Sequence, residues 1–188
     1  MPARLPIALL LVLIATMPGL APWWKATLLR HMLGQIPLLI LAGVLLAPRV
    51  ARPLPGQGTG QETWAAAALI VAAFCTGFWM LPRWLDAAVT DLRADAAKVA
   101  TLILLGGLPL GWGWRRLGAL ARAFVLNQAI GMLLILGIVY LIIPDRLCNS
   151  YLLDEQGVLG RALLALAGLA GLGAAGAALF APAPAARG

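Results

Sequence analysis

The chain has 188 residues, of which 62% are hydrophobic and 11% are charged, and its formal net charge is +7. Soluble domains carry roughly 25% charged residues, so this composition is typical of an integral membrane protein and excludes an ordinary soluble domain. The basic residues occur singly or in pairs between apolar runs, which favours topology-setting loops over a groove that binds nucleic acid.

Residue types that support catalysis are scarce in this chain. His31 is the only histidine, which excludes His-Asp-Ser triads and metal sites built from several histidines. Cys75 and Cys148 show no CxxC spacing, and the sequence contains neither a Walker A motif nor a GxGxxG turn after a strand. We therefore expect a protein that is not an enzyme.

Apolar runs of transmembrane length follow one another along the chain. A helix needs roughly 20 residues to cross a hydrocarbon core of about 30 Å, and each run approaches or exceeds that length. The sequence predicts an all-α fold, with residues 1–188 forming a single membrane domain, a bundle of about six transmembrane helices. The predicted spans cover about 5–21, 27–47, 64–82, 97–114, 118–143 and 158–180.

Residues 1–21 admit two interpretations. Gly19, Leu20 and Ala21 resemble the small-residue cleavage site of a signal peptide, whereas Pro22 directly after them is a poor context for cleavage. The segment is therefore either a cleaved signal peptide or a retained first span, and we favour the retained span.

The loops between the spans indicate an orientation. The linker 48–63 is rich in Pro, Gly and Gln and is expected to be flexible. Lys and Arg divide evenly between the two sides, but Arg115, Arg116 and Arg122 fill a very short loop, where positive charge orients most strongly. We expect both termini and the linker on the cytoplasmic side.

Two spans carry residues that predict helix–helix packing. Asn127 and Gln128 lie near the start of the fifth span, and for these amides we favour hydrogen bonds between helices over a ligand role. The sixth span contains glycines among alanines and leucines, which predicts close helix contacts such as one at Gly171-xxx-Ala175.

Imidazole and sulfur side chains gather at the predicted outer face. His31 and Met32 begin the second span, Met80 ends the third, and Cys148 lies between the fifth and the sixth. Imidazole, thioether and thiolate groups suit Cu(I), because soft sulfur donors select this ion over harder ones. These four residues are therefore candidate copper ligands, with the alternatives that His31 is an interfacial polar residue and that Met80 packs beside Trp79.

Four segments carry a resemblance to a known family. They are 31–35 (HMLGQ) leading into an apolar helix, 78–91 (FWMLPRWLDAAVTD), 104–114 (LLGGLPLGWGW) and 151–160 (YLLDEQGVLG). In order and spacing they resemble the CtaG family of cytochrome c oxidase assembly proteins. The resemblance implies a multi-span membrane protein that delivers copper to haem–copper oxidases.

The departures from the family pattern concern its metal ligands. Gln35 stands where the family's HMxxH motif has its second histidine, and Met80 stands where its WHxP motif has histidine. Residues 95–101, which the resemblance implies should supply a histidine pair, contain none. Either sulfur ligands have rebuilt the site, or this chain keeps the scaffold without the metal.

These observations lead to one main expectation and two alternatives. We expect a membrane assembly factor for cytochrome c oxidase in the bacterial inner membrane, which holds or delivers Cu(I) at the outer face. The expected partners are membrane lipids and haem–copper oxidase subunits or a copper donor protein, without nucleic acid. The first alternative is a non-metal transmembrane scaffold or accessory subunit of a respiratory complex. A small-solute transporter is disfavoured, because no predicted span carries a charged residue at mid-depth.

Overall fold

The computed structural model describes residues 4–47 and 61–179, which form helices and irregular connections without any strand in those two ranges. The linker residues 48–60, residue 180 of the last predicted span and the tail that follows it lie outside the described residues. The helices are α1 (Arg4–Thr16), α2 (Ala21–Lys25), α3 (Arg30–Leu46), α4 (Gln61–Met80), α5 (Pro82–Thr90), α6 (Leu92–Trp114), α7 (Ala119–Ile142) and α8 (Leu153–Leu179).

The helices differ in whether they are long enough to cross a membrane. Four helices in the described ranges, α4, α6, α7 and α8, are long and apolar enough to span one. Helices α1 and α3 are apolar but only between 10 and 17 residues long. The all-helical fold is confirmed, and four of the expected spans have the required length.

The fourth predicted span begins earlier than expected, and the reason is local. Asp91 caps the amino terminus of α6, and its Oδ1 accepts a hydrogen bond of 2.8 Å from the Arg93 backbone N–H. Such a cap satisfies one of the unpaired N–H groups of the first helical turn. Helix α6 therefore begins at Leu92 rather than at residue 97, which places Asp95 and Lys98 inside the helix.

Both α3 and α6 contain a π-helical segment shortly before a proline. The segment Arg30–Gln35 precedes Pro37, and the segment Leu102–Gly107 precedes Pro109. Proline lacks a backbone N–H, and its ring collides with the carbonyl of the fourth residue before it. The wider π turn accommodates this interruption without breaking the helix.

Helices α3 and α6 approach each other closely at two glycines. A Cβ atom on Gly43 would lie 2.7 Å from the Cα of Gly107, and one on Gly107 would lie 2.6 Å from the Cα of Gly43. Helices α7 and α8 make a similar contact, where a Cβ on Gly137 would lie 3.0 Å from the carbonyl oxygen of Gly160. Small residues permit such backbone contact, so these pairs fix the spacing of the helices.

A large buried cluster joins the two halves of the bundle. Helices α1, α3, α4 and α6 pack on one another, while α7 packs mainly on α8. Met32, Ile36 and Leu39 of α3 belong to the same buried cluster as Tyr140 of α7 and Leu159 of α8. Burial of these apolar side chains therefore holds the α7–α8 pair against α3.

The predicted close contact at Gly171 is absent from the described part of the chain. A Cβ atom on Gly171 would meet nothing within 4 Å, and the same holds for Gly168, Gly173 and Gly176. The glycine-rich pattern identified a helix face lined by small residues, but it did not show whether that face contacts another helix of the chain or is open.

The glycine contacts lead to a stability prediction. Gly107→Ala should lower the free energy of unfolding by about 1–3 kcal/mol, because the added methyl group overpacks against the backbone of α3. Gly171→Ala is the matched control and should leave the melting temperature unchanged or raise it, because the site is open and alanine favours helix. Thermal unfolding of the purified protein in detergent measures both. Equal melting temperatures for the two variants would contradict the close approach of α3 and α6.

Candidate functional site around Lys98

Lys98 is a fully buried lysine in the first half of α6. Its relative exposure is 0%, and its side chain points towards the π-helical start of α3. The even division of Lys and Arg counted Lys98 with the outer charges, at the edge of the predicted span 97–114, whereas the earlier start of α6 at Leu92 places it well inside the helix. A buried ammonium group is costly unless nearby acceptors compensate for the lost water.

Three acceptor atoms surround the Lys98 ammonium group. Its Nζ lies 2.7 Å from Nε2 of His31 and donates a hydrogen bond of 2.8 Å to Oε1 of Gln35. Oδ1 of Asp95, one turn away on α6, lies 2.9 Å from the same Nζ and forms an ion pair with it. The three N–H groups of the lysine therefore face an imidazole nitrogen, an amide oxygen and a carboxylate oxygen.

The acceptors around Lys98 are themselves tied to other parts of the chain. Oδ2 of Asp95 lies 2.7 Å from Nζ of Lys25, the last residue of α2. The amide nitrogen of Gln35 donates a hydrogen bond of 2.8 Å to the carbonyl of Ala15 near the end of α1. The network thus connects α1, α2, α3 and α6 at one end of the bundle.

The hydrogen bonds of His31 define its tautomer. An ammonium group has donors only, so Nε2 of His31 acts as the acceptor and the ring proton is on Nδ1. Nδ1 then donates to the hydroxyl oxygen of Tyr151, 2.8 Å away in the connection between α7 and α8. Burial raises the pKa of the Tyr151 hydroxyl above its usual value, so Tyr151 stays neutral at physiological pH. His31 is a neutral imidazole with both nitrogens engaged.

The structure places all four candidate copper ligands in or beside one buried cluster. Met32 and Cys148 are buried in the same cluster, Met80 packs against it from a half-buried position, and His31 is buried directly beside Met32. The His31 nitrogen that would bind copper is instead 2.7 Å from a cation, so His31 does not fit the role of a Cu(I) ligand in this arrangement. The sulfur of Met32 accepts a hydrogen bond of 3.6 Å from the Tyr140 hydroxyl.

Cys148 lies in the connection before α8 and is only 2% exposed. Burial, assisted by the nearby Asp86 carboxylate, raises the pKa of its thiol from 9.0 to about 12. Asp86 is held in place because it accepts hydrogen bonds from the backbone N–H groups of Asn149 and Ser150, at 2.7 and 3.1 Å. The thiol is therefore protonated at neutral pH, whereas the expected copper ligand was a thiolate.

Across residues 4–47 and 61–179, no group of three or more His, Cys, Asp or Glu side chains is arranged to hold a metal ion. Cys75 is half-buried on α4, and its thiol donates to the Thr101 carbonyl at 3.3 Å. Copper binding therefore remains a prediction that only the sequence supports.

The buried position of Lys98 was not predicted from the sequence. The predicted span began only one residue before it, and its spacing from Asp95, which places the two on one helix face, was not used. The helix cap at Asp91 was the feature that could have located it. Gln156, only 3% exposed, accepts a hydrogen bond from the Leu147 N–H at 3.0 Å, a contact that depends on tertiary structure and has no local pattern.

Comparison of the chain with protein-family models, with curated proteins and with solved structures finds no match. The resemblance to the CtaG family therefore rests on the four sequence segments, and function has to be inferred from the geometry of the described residues.

The raised pKa of Cys148 predicts a pH-dependent reactivity. In a Cys75→Ser background, Cys148 at pH 8 should react with a maleimide roughly 100-fold more slowly in the folded protein than in urea, because so little thiolate is present. The folded-state rate should rise about tenfold for each pH unit above pH 8 and level off only near pH 12, where the thiol is half ionised. Fast labelling of the folded protein at pH 8 would contradict the buried, protonated thiol.

Proposed function

We propose that this protein is a multi-pass membrane assembly factor of the CtaG type, which acts as a scaffold that binds transmembrane helices of a haem–copper oxidase. In this proposal the protein resides in the bacterial inner membrane, and the short helices α1 and α3 complete a set of about six spans. The observation that carries the proposal is a pair of unsatisfied amides on the outer face of α7.

Asn127 and Gln128 are exposed on a helix of transmembrane length. Neither side chain makes a hydrogen bond with any residue that the structure describes. Asn127 lies about 12 Å along α7 from Ala119, at 1.5 Å per residue, which places it within the hydrocarbon depth of a membrane helix of this length. Lipid tails offer no partner for an amide, whereas a second transmembrane helix does.

The residues around these amides form one continuous stripe along α7. Leu120, Phe124 and Ile135 are 87%, 68% and 63% exposed. Their spacing from Asn127 and Gln128 is that of a single helix face. Gly131 lies on the same face, and a Cβ atom there would meet nothing within 4 Å. The stripe therefore offers apolar contact, two amides and a position for close backbone approach, which are the features of a helix-pairing surface in membranes.

The resemblance supplies the identity of the proposed partner. The four segments resemble a family that assists oxidase maturation, and a scaffold role requires only that the chain binds oxidase subunits. His31 is fully engaged by Lys98 and Tyr151, which favours the metal-independent version of this role.

A second candidate keeps copper as the cargo. Met32 and Cys148 lie in one buried cluster with Met80 at its margin, and soft sulfur donors suit Cu(I). In that version of the proposal, His31 is not a ligand of the copper ion. Copper analysis of the purified protein after loading with Cu(I) under reducing conditions separates the candidates, since retention that depends on Met32 and Cys148 would favour the carrier.

The scaffold proposal predicts the effect of changing the α7 stripe. Asn127→Leu combined with Gln128→Leu should reduce co-purification of haem–copper oxidase subunits from solubilised membranes about tenfold, because a buried inter-helix amide contributes about 0.6–1.7 kcal/mol. Gly131→Leu should act in the same direction by blocking close approach. The melting temperature of the isolated protein should not fall, because among the described residues the stripe is exposed and a Cβ atom at Gly131 meets nothing within 4 Å.

Gly171→Leu on α8 is the matched control, because this glycine is also open within the chain. It should leave co-purification unchanged. Equal recovery of oxidase subunits with all of these variants, or normal oxidase content in cells that lack the protein, would contradict the proposed function.

A further inference from the structure

The surroundings of the Lys98 ammonium have the composition of a cation-binding site. His31, Gln35 and Lys98 are 0%, 1% and 0% exposed, so the group is shielded from water. An imidazole nitrogen, an amide oxygen and a carboxylate oxygen converge on the Lys98 Nζ at 2.7, 2.8 and 2.9 Å. The three acceptors come from two helices, α3 and α6, that are held together by the glycine contact between Gly43 and Gly107.

We propose that Lys98 is a tethered cation that fills a cation site formed by His31, Gln35 and Asp95. The unmodified chain binds no transition metal at this site, because the ammonium group occupies it. Removal of the ammonium group converts the site into one that takes a divalent transition-metal ion such as Zn²⁺ or Co²⁺. This inference does not depend on the proposed function, since it uses only the contacts of Lys98.

The donor atoms determine which ions would enter. Imidazole and carboxylate are ordinary ligands of Zn²⁺ and Co²⁺, with bonds of about 2.0–2.2 Å. The three donors now surround a nitrogen at 2.7 to 2.9 Å, so each must move inwards by only about 0.7 Å to reach a central ion. The tautomer is already suitable, because Nε2 of His31 carries a lone pair and Nδ1 is held by Tyr151.

The charges around the site also support the view that the Lys98 ammonium excludes a metal ion. Asp95 is shared between two ammonium groups, those of Lys25 and Lys98. A metal ion that approached the intact site would meet the Lys98 charge at the centre of the donor atoms. When that charge is removed, His31 and Gln35 lose their donor and Oδ1 of Asp95 loses its ion-pair partner, and an external cation restores the missing interactions.

A purely structural role for Lys98 predicts a different result. If Lys98 serves only to brace α3 against α6, its removal weakens the fold and creates no affinity for metal. Metal binding therefore separates the two roles, and loss of stability alone does not.

The experiment uses Co²⁺, whose visible absorption reports on coordination, in a Cys75→Ser, Cys148→Ser background that removes thiol ligands. The background protein should bind no Co²⁺ through His31. Lys98→Ala should bind one equivalent, at least 100-fold more tightly than the double variant Lys98→Ala, His31→Ala. Asp95→Asn added to Lys98→Ala should weaken the binding.

If Lys98→Ala does not fold in metal-free detergent, addition of Zn²⁺ during purification should restore the folded protein. Three results would overturn the inference. They are His31-dependent binding of Co²⁺ by the protein with Lys98 intact, equal affinities for the single and double variants, and failure of Zn²⁺ to restore an unfolded Lys98→Ala protein.

Discussion

The contact between the Lys98 ammonium and its three acceptors is the interaction on which the arrangement of this bundle depends. The group joins α3 to α6, Gln35 extends it to α1, and His31 extends it to the connection between α7 and α8 through Tyr151. A buried charge network adds little net stability compared with apolar packing, but loss of one partner leaves an uncompensated charge. Such a network therefore favours one arrangement of the helices over others.

Much of the fold follows from the sequence, because membrane helices are specified by long apolar runs. The fifth predicted span matches α7 to within one residue at each end, whereas α6 and α8 each begin five residues before the spans predicted for them, and His31 lies near the start of a helix as expected. The character of the site was not predictable in the same way. Lys98 looks like a charge at the edge of a span until the cap at Asp91 extends α6 in front of it, and two of its three acceptors, His31 and Gln35, lie more than sixty positions away in the chain. The same limit of sequence reasoning applies to Gly171, because the presence of a glycine does not show whether that position contacts another helix or is open.

The polar groups inside the bundle and those on its surface differ in one respect. Inside, the side chains of His31, Gln35 and Lys98 have partners within the chain. On α7, the amides of Asn127 and Gln128 have none among the described residues. In the proposed function, the open polar stripe on α7 is the surface that binds other helices. The polar groups of the interior provide less support for a protein whose interior exchanges an ion, because the imidazole that would hold it is already engaged.

The state of the His31 ring tests this account most directly. His31 is the only histidine in the chain, so ¹⁵N labelling of histidine yields the signals of one ring. If Lys98 donates to Nε2, the spectrum of the folded protein at pH 7 should show a protonated Nδ1 and a bare Nε2. A proton on Nε2, or protons on both nitrogens, would contradict the arrangement around Lys98.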